Sequence, residues 1–215
     1  MPGPKSNGPR GWLGVDLGIV NIAADSDGVT YSGGQVNGLR KRHAELRARL
    51  QSKGTASAKR LLRKRRRKTA LPVTSTTASP SGWVAKAKDT GRGIVLEDLK
   101  GIRERVTVRK AQRRVQHSWA FHQLGSFIEY KARLAGVPVA LIDPRNTSRT
   151  CPVCSHVAKA NRPTQASFPC VSCGFAGPAD TIAAENIRRA VVNQADAGAA
   201  YLGPPASPPA LAVGS

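Results

Sequence analysis

Trp12-Leu13-Gly14-Val15-Asp16-Leu17-Gly18, residues 12–18, is an apolar run with a single acid inside it. A second apolar run covers residues 21–24, and Asp27-Gly28 supplies a turn into Val29-Thr30-Tyr31, so the chain is expected to open as a short antiparallel meander. Alternation along the first strand puts Gly14 and Gly18 on the same face as Asp16, which predicts open space around that carboxylate. An acid in an apolar strand is costly to bury without a cation. That cost favours a metal and a phosphate beside Asp16 over a turn or salt-bridge role.

Farther along, residues 38–68 turn helical, with Leu46, Leu50, Leu61 and Leu62 as a thin apolar stripe among arginines, broken near Gly54. This predicts a helical hairpin with a basic face. A strand is expected at residues 93–97, a helix over 110–134 with Val115, Trp119, Phe127 and Leu134 as its buried stripe, and a strand at 137–142. Trp12 and Trp119 read as core residues rather than base-stacking platforms. A last helix runs from Thr181 to about Val192, and the Ala/Gly/Pro-rich residues 193–215 read as a disordered tail. Strand–helix–strand alternation after a meander implies an α/β fold, a mixed sheet with helices packed on it. Residues 71–83 show no periodicity and read as linker.

Charge narrows the function classes. The chain has 34 Lys+Arg against 13 Asp+Glu, a net of +21. Residues 40–68 hold fourteen Lys/Arg against one acid, Glu45, a local net of +13. Such a stripe suits a phosphate backbone. The candidate nucleic-acid contacts are Arg40, Lys41, Arg42, Arg60, Arg63, Lys64, Arg65, Arg66, Arg67 and Lys68, with Arg149 as a further phosphate or surface residue. For the run at 63–68 alone, a solvated helix face or a localisation patch fits as well. No stretch reaches the apolar length of a membrane span, and residues 1–10 lack the apolar core of a signal peptide. The expected setting is cytoplasmic and nucleoid-associated, with DNA as partner and no membrane.

The four cysteines fall as Cys151-x2-Cys154-x15-Cys170-x2-Cys173. Two such knuckles can bring four thiolates to one structural Zn2+, and two disulfides are the alternative. Three acids could serve a phosphodiesterase. Asp16 lies mid-strand, Glu97 ends the apolar run Ile94-Val95-Leu96, and Asp180 opens the last helix. Carboxylates converging on two divalent cations let one activate water and the other stabilise a leaving oxygen. Each has a plainer reading: Asp180 as an N-cap, Asp16 as a salt-bridge residue, and Glu97 as one of two adjacent acids, since Asp98 follows it.

The order of hairpin Asp, strand-end Glu, zinc ribbon and helix-start Asp resembles the RuvC-like nuclease domain of the transposon-encoded OrfB/TnpB family, RNA-guided nucleases related to type V CRISPR effectors. The resemblance spans residues 11–192. Gly11-Trp12-Leu13-Gly14-Val15-Asp16-Leu17-Gly18 looks like the family's first nuclease motif, Ile94-Val95-Leu96-Glu97-Asp98-Leu99 its second, and Ala179-Asp180-Thr181-Ile182-Ala183-Ala184-Glu185-Asn186-Ile187 its third. Asn146-Thr147-Ser148-Arg149-Thr150-Cys151-Pro152-Val153-Cys154 is similar to its entry into the ribbon. The resemblance implies an RNase H-like (RuvC-type) mixed sheet with flanking helices and an inserted zinc ribbon. The nuclease domain would be split over 11–148 and 179–192 around a ribbon at 149–178. It implies hydrolysis of DNA by Asp16, Glu97 and Asp180 with Mg2+ or Mn2+, and a guide RNA in intact relatives.

The chain also departs from the family. About ten residues precede Trp12, where members carry a long guide-holding portion, so the expectation is a truncated protein. Where members have a helix patterned Asp-Val-Asn-His-x-Ile-Ser-Lys-x-Leu, this chain has residues 71–83. Permitted codons for residues 73–83, read in the frame shifted by two bases, spell Asp-Val-Asn-His-Gly-Ile-Ser-Lys-Arg-Leu, which suggests a pair of compensating frameshifts. The expectation is therefore a truncated or defective endonuclease, with a non-catalytic zinc-ribbon nucleic-acid-binding protein as the alternative.

Overall fold

A computed structural model of the chain describes residues 9–18, 20–66, 80–99 and 120–195. The meander forms as expected: β1 (Trp12–Asp16), β2 (Asn21–Asp25) and β3 (Thr30–Ser32) pair antiparallel in turn. Helices α1 (Gly34–Lys53) and α2 (Ala56–Arg66) make the basic hairpin. Gly54 between them adopts φ 64°, the left-handed turn that ends α1, and Thr55 Oγ1 caps α2 by accepting the Ala58 N–H at 3.2 Å. The chain continues through α3 (Pro80–Asp89), β4 (Gly93–Glu97), α4 (Ala120–Leu134) and β5 (Val139–Ile142). A small ribbon of β6 (Ser167–Pro169) and β7 (Ala176–Pro178) leads into α5 (Ala179–Ala195).

The main sheet is mixed, in the order β3-β2-β1-β4-β5, with β1, β4 and β5 parallel. Along β1 and β4, Leu13, Val15, Ile94 and Leu96 point into a core closed by Trp83, Val84 and Ala87 of α3 and by Leu124, Ile128 and Ala132 of α4. The opposite face carries Val95, Ala140 and Ile142 against Ile187 and Val191 of α5. Trp12 packs at the margin of that second layer, its ring filling the space that a side chain at Gly93 would need. Among the described residues no helix is long and apolar enough to cross a membrane.

Charge as well as packing ties α3 down. Asp25 is fully buried and accepts the N–H groups of Asp27 and Val29 at 3.1 and 3.0 Å. Its other oxygen meets Lys86 Nζ of α3 at 2.7 Å. Arg92 grips Asp27 through two bonds of 2.8 Å and holds that carboxyl well below the usual range. The burial of Asp25 is thus offset by a cation and two amide donors rather than left uncompensated.

Four expectations need correction. The buried stripe of α4 is Leu124, Ile128 and Ala132, whereas Phe127 is half-buried and Leu134 is 71% exposed. A step of eight residues, as from 119 to 127, turns about 80° past two full turns and leaves the face, while steps of four stay near it. Val115 and Trp119 lie outside the described residues. Residues 80–83, read as linker, open α3 instead. Pro80 sits in the first turn, where its missing N–H is no loss, and the fully buried Trp83 meets the Tyr31 ring edge-on at 4.7 Å. Residues 193–195, read as the start of the tail, still belong to α5, and residues 71–79 and 196–215 fall outside the described set.

The last correction concerns Gly14 and Gly18. The space over Gly14 is not open, because α5 lies on it. A methyl there would collide with the Ala184 carbonyl oxygen and stand 2.8 Å from the Arg188 amide nitrogen. Over Gly18, the Asn21 carbonyl oxygen would be 2.7 Å away. Both glycines permit backbones to close on each other. Gly14→Ala should therefore lose about 2–4 kcal/mol in chemical unfolding. Gly82→Ala, where an added methyl meets nothing within 4 Å in a helix interior, should gain up to about 1 kcal/mol. Equal effects at the two positions would show that α5 does not need its contact with β1.

Candidate active site and metal centre

Strand register places two of the acids. Trp12, Leu13 and Gly14 of β1 lie beside Gly93, Ile94 and Val95 of β4. The same offset carried two residues on puts Asp16 beside Glu97, about 4.8 Å away across the sheet. Because Leu13, Val15, Ile94 and Leu96 fill the α3–α4 core, alternation sends Asp16 and Glu97 to the α5 face. This separates Glu97 from Asp98 on geometric grounds. The third acid, Asp180, stands in the first turn of α5, one turn before the Ala184 carbonyl that covers Gly14. Its oxygens accept from Asn21 Nδ2 and Arg162 Nη2, both at 2.9 Å, so it has partners outside its own helix end.

The electrostatics follow from this convergence. Asp16 keeps some contact with solvent, yet burial first, and then the charges of Glu97 and Asp180, push its carboxyl up to about 7 against the pull of Arg162. Glu97 is also raised by burial, opposed by the Thr147 hydroxyl and by Arg162. Thr147 Oγ1 donates to Glu97 Oε1 at 2.6 Å. The Thr147 carbonyl is held in turn by Asn186 Nδ2 of α5 at 2.7 Å, and the same amide group holds the Thr150 carbonyl. One α5 side chain thus anchors the loop that orients Glu97.

The cysteines meet at the other end of that loop. Cys151 Sγ lies 3.6 Å from Cys173 Sγ, Cys154 Sγ lies 3.6 Å from Cys170 Sγ, and all four ligand atoms fall within 4.8 Å of one another. Thiolates about 2.3 Å from a tetrahedral zinc stand roughly 3.8 Å apart, whereas a disulfide needs about 2.05 Å. The thiols are free, and the donor set fits zinc. The backbone N–H of Cys173, then that of Ser172, bring the Cys170 thiol down to about 6, toward the thiolate that a metal requires. Among the described residues this is the one such group of three or more metal-ligating side chains.

Arg162 links the two centres, and sequence reading missed it. The neighbouring Asn161 is fully buried and clamps both knuckles. Its Nδ2 donates to the carbonyls of Arg149 and His156 at 2.9 and 3.0 Å, and its Oδ1 accepts the Val171 N–H at 3.0 Å. The next side chain, Arg162, is thereby directed to Asp180. Arg149, picked for its place before the first cysteine, is exposed. Nothing periodic marks an arginine in a loop between knuckles; only the tertiary clamp reveals it. Asn21 and Thr147 were likewise read only as parts of a strand and a ribbon entry. Lys41, Arg42, Arg60, Arg63, Lys64 and Arg65 are all exposed on the α1–α2 hairpin. The side chains of Arg40 and Arg66, and residues Arg67 and Lys68, lie outside the described set.

Parts of the chain are similar to known proteins. The Cas12f1-like TNB domain family matches residues 121–187. The CRISPR-associated endodeoxyribonuclease Cas12f1 of Sulfoacidibacillus thermotolerans is 39% identical over 94 residues, 44% of this chain and 21% of that protein. The TnpB-like protein MJ0751 of Methanocaldococcus jannaschii is 37% identical over 95 residues, 44% of this chain and 34% of that protein. A chain in the solved Cas12f1–sgRNA–target DNA complex superposes with a TM-score of 0.59 at 20% identity, over 86% of this chain and 51% of that one. The chain thus spans about a fifth and a third of the two curated relatives. These matches make it a TnpB/OrfB-type relative of the type V effectors.

Proposed function

We propose that the chain is a RuvC-type endonuclease that hydrolyses DNA phosphodiester bonds, with Asp16, Glu97 and Asp180 holding a pair of divalent cations, Mg2+ or Mn2+. The observation that carries this reading is the Asp16 carboxyl, raised to about 7 by burial and by the charges of Glu97 and Asp180, a site that gains from an added cation. The sheet order 3-2-1-4-5 with an antiparallel β2 supports an RNase H-like core over 11–148 and 179–192, with a structural zinc ribbon at 149–178. When bound, such cations supply an activated water and stabilise the leaving oxygen. Thr147 fixes the rotation of the Glu97 carboxylate, and the planar guanidinium of Arg162 suits a phosphate oxygen. The exposed basic hairpin would hold the nucleic-acid backbone, DNA and, as in the guided relatives, RNA.

One observation favours the alternative of a binding protein that does not cut. Arg162 already pairs with Asp180, so the site carries a cation of its own. Incubation with single-stranded DNA and Mg2+ separates the two readings. Cleavage by the chain should exceed that of an Asp16→Ala/Glu97→Ala double variant by more than the ~10–100-fold that an outer-shell change costs. Equal rates, with salt-sensitive binding retained, would establish the binding protein instead.

Stability should report the cation site independently of activity. Asp16 holds its proton more tightly in the fold than in the unfolded chain, so stability falls as pH rises from the ordinary 3.8 through about 7. At pH 8 without divalent ions, Asp16→Asn should therefore be more stable than the parent by about 1–3 kcal/mol, with the gap narrowing as pH falls below about 7 and levelling off only below 3.8. Mg2+ should raise the melting temperature of the parent and leave that of Asp16→Asn unchanged. A parent whose stability is flat over this range would overturn the cation site.

Zinc has its own readout. Replacement by Co2+ should give a tetrahedral thiolate spectrum that Cys173→Ser weakens, and chelation should lower the melting temperature. A chain that melts identically with and without chelator would remove zinc from the structure.

A further inference from the structure

Helices α1 and α2 pack chiefly on each other, and they leave a seam unfinished. Leu39, His43, Leu46 and Leu50 recur along α1 at steps of four, three and four, the spacing of one coiled-coil face. All four are only half-buried. On α2, Ala58 is buried, Leu62 is half-buried and Leu61 is 39% exposed. Between the helices runs a groove of about 980 Å3 in which Leu46, Leu50, Leu61 and Leu62 are matched by four cations, Arg47, Arg63, Lys64 and Arg65.

The lining decides among possible occupants. A nucleic-acid backbone is held by cations and polar donors and has no use for four leucines. A second copy of the hairpin would match the leucines, but residues 34–66 hold twelve Lys/Arg against Glu45 alone, and two such surfaces repel. A helix carrying an apolar stripe between acidic flanks satisfies both features at once. We propose that the α1–α2 groove receives an amphipathic helix of a partner protein, with leucine-like side chains on its inner stripe and Asp/Glu along both edges. Arg63, Lys64 and Arg65 border the groove, whereas Lys41, Arg42, Lys59 and Arg60 do not line it and are exposed, which leaves those four open to phosphates while a partner helix is seated.

The full chain is titrated by fluorescence anisotropy into a labelled peptide of about three heptads, Leu at a and d and Glu at e and g, at near-physiological salt. A scrambled peptide of identical composition is the control. The patterned peptide should bind at least about tenfold tighter than the scrambled one. Leu61 is exposed enough that Leu61→Glu should leave the hairpin folded, which circular dichroism checks. This variant should weaken peptide binding about tenfold and leave single-stranded DNA binding unchanged. An Arg47→Glu/Arg63→Glu variant should lose the acidic peptide and accept one with Lys at e and g. Equal binding of the two peptides would reduce the effect to charge and overturn the proposal. Loss of DNA binding in Leu61→Glu would make the groove a nucleic-acid surface. Concentration-dependent dimerisation that Leu61→Glu abolishes, with no binding of the patterned peptide, would assign the groove to a second copy.

Discussion

The contact of the α5 backbone with β1 over Gly14 sets the positions of everything else at the site. A helix normally packs on a sheet about 10 Å away, side chain on side chain. Here the first strand offers no side chain at Gly14, and the Ala184 carbonyl and the Arg188 amide come down onto it. That approach fixes the height of α5 above the sheet, and one turn earlier it fixes Asp180 near Asp16. Small residues continue the theme along α5, where Ala179, Ala183 and Ala184 are all buried. The apolar grip that holds the helix comes from Ile187 and Val191 farther on, against Val95, Ala140 and Ile142. Asp180 and this apolar grip thus stand about two to three turns apart on one helix.

The ribbon acts through the same helix. Phe168 and Cys170 of the ribbon pack against Ala179 and Ile182 of α5, while Asn186 reaches back to hold the carbonyls of Thr147 and Thr150. Asn161 ties the two knuckles to each other and leaves Arg162 facing Asp180. The four thiols therefore do more than stabilise a small ribbon. They set the register of the loop that carries both Thr147, the donor to Glu97, and Arg162, the counter-charge to the acids. A polar network of this sort is rigid because each buried group is satisfied; loss of one member leaves others unpaired.

Much of this was legible in the residues, and the remainder was hidden for identifiable reasons. Strands β1 to β4 follow from short apolar runs between turn residues, and the helical hairpin from its broken leucine stripe. The cysteine spacing gave the tight thiol cluster directly. Two kinds of error recur elsewhere. The first is phase: Leu134 was assigned to the core of α4 from wide spacings, when the i to i+4 series Leu124, Ile128, Ala132 was available. The second is reading absence as space. Gly14 has no side chain, and sequence alone cannot distinguish a void from a place where another backbone lies. Arg162, Asn21 and Thr147 belong to a third group, polar residues whose partners are 18, 159 and 50 positions away. No local pattern encodes such separations.

The distribution of charge resolves an apparent conflict between a net of +21 and an acidic centre. Around the sheet, acids and bases are paired: Asp25 and Asp27 with Lys86 and Arg92, and on α5 Glu185 with both Arg188 and Arg189. Among the described residues the largest excess of positive charge is on the α1–α2 hairpin, twelve Lys/Arg against Glu45 over residues 34–66. Such segregation has a physical logic. Cations placed near Asp16 would draw its carboxyl back toward the ordinary range and repel a divalent ion, whereas the same cations on the hairpin can attract a polyanion without acting on that carboxyl. Arg162 is the exception, admitted to the acids because the ribbon holds it there, and its pairing with Asp180 is what a bound cation would have to rearrange.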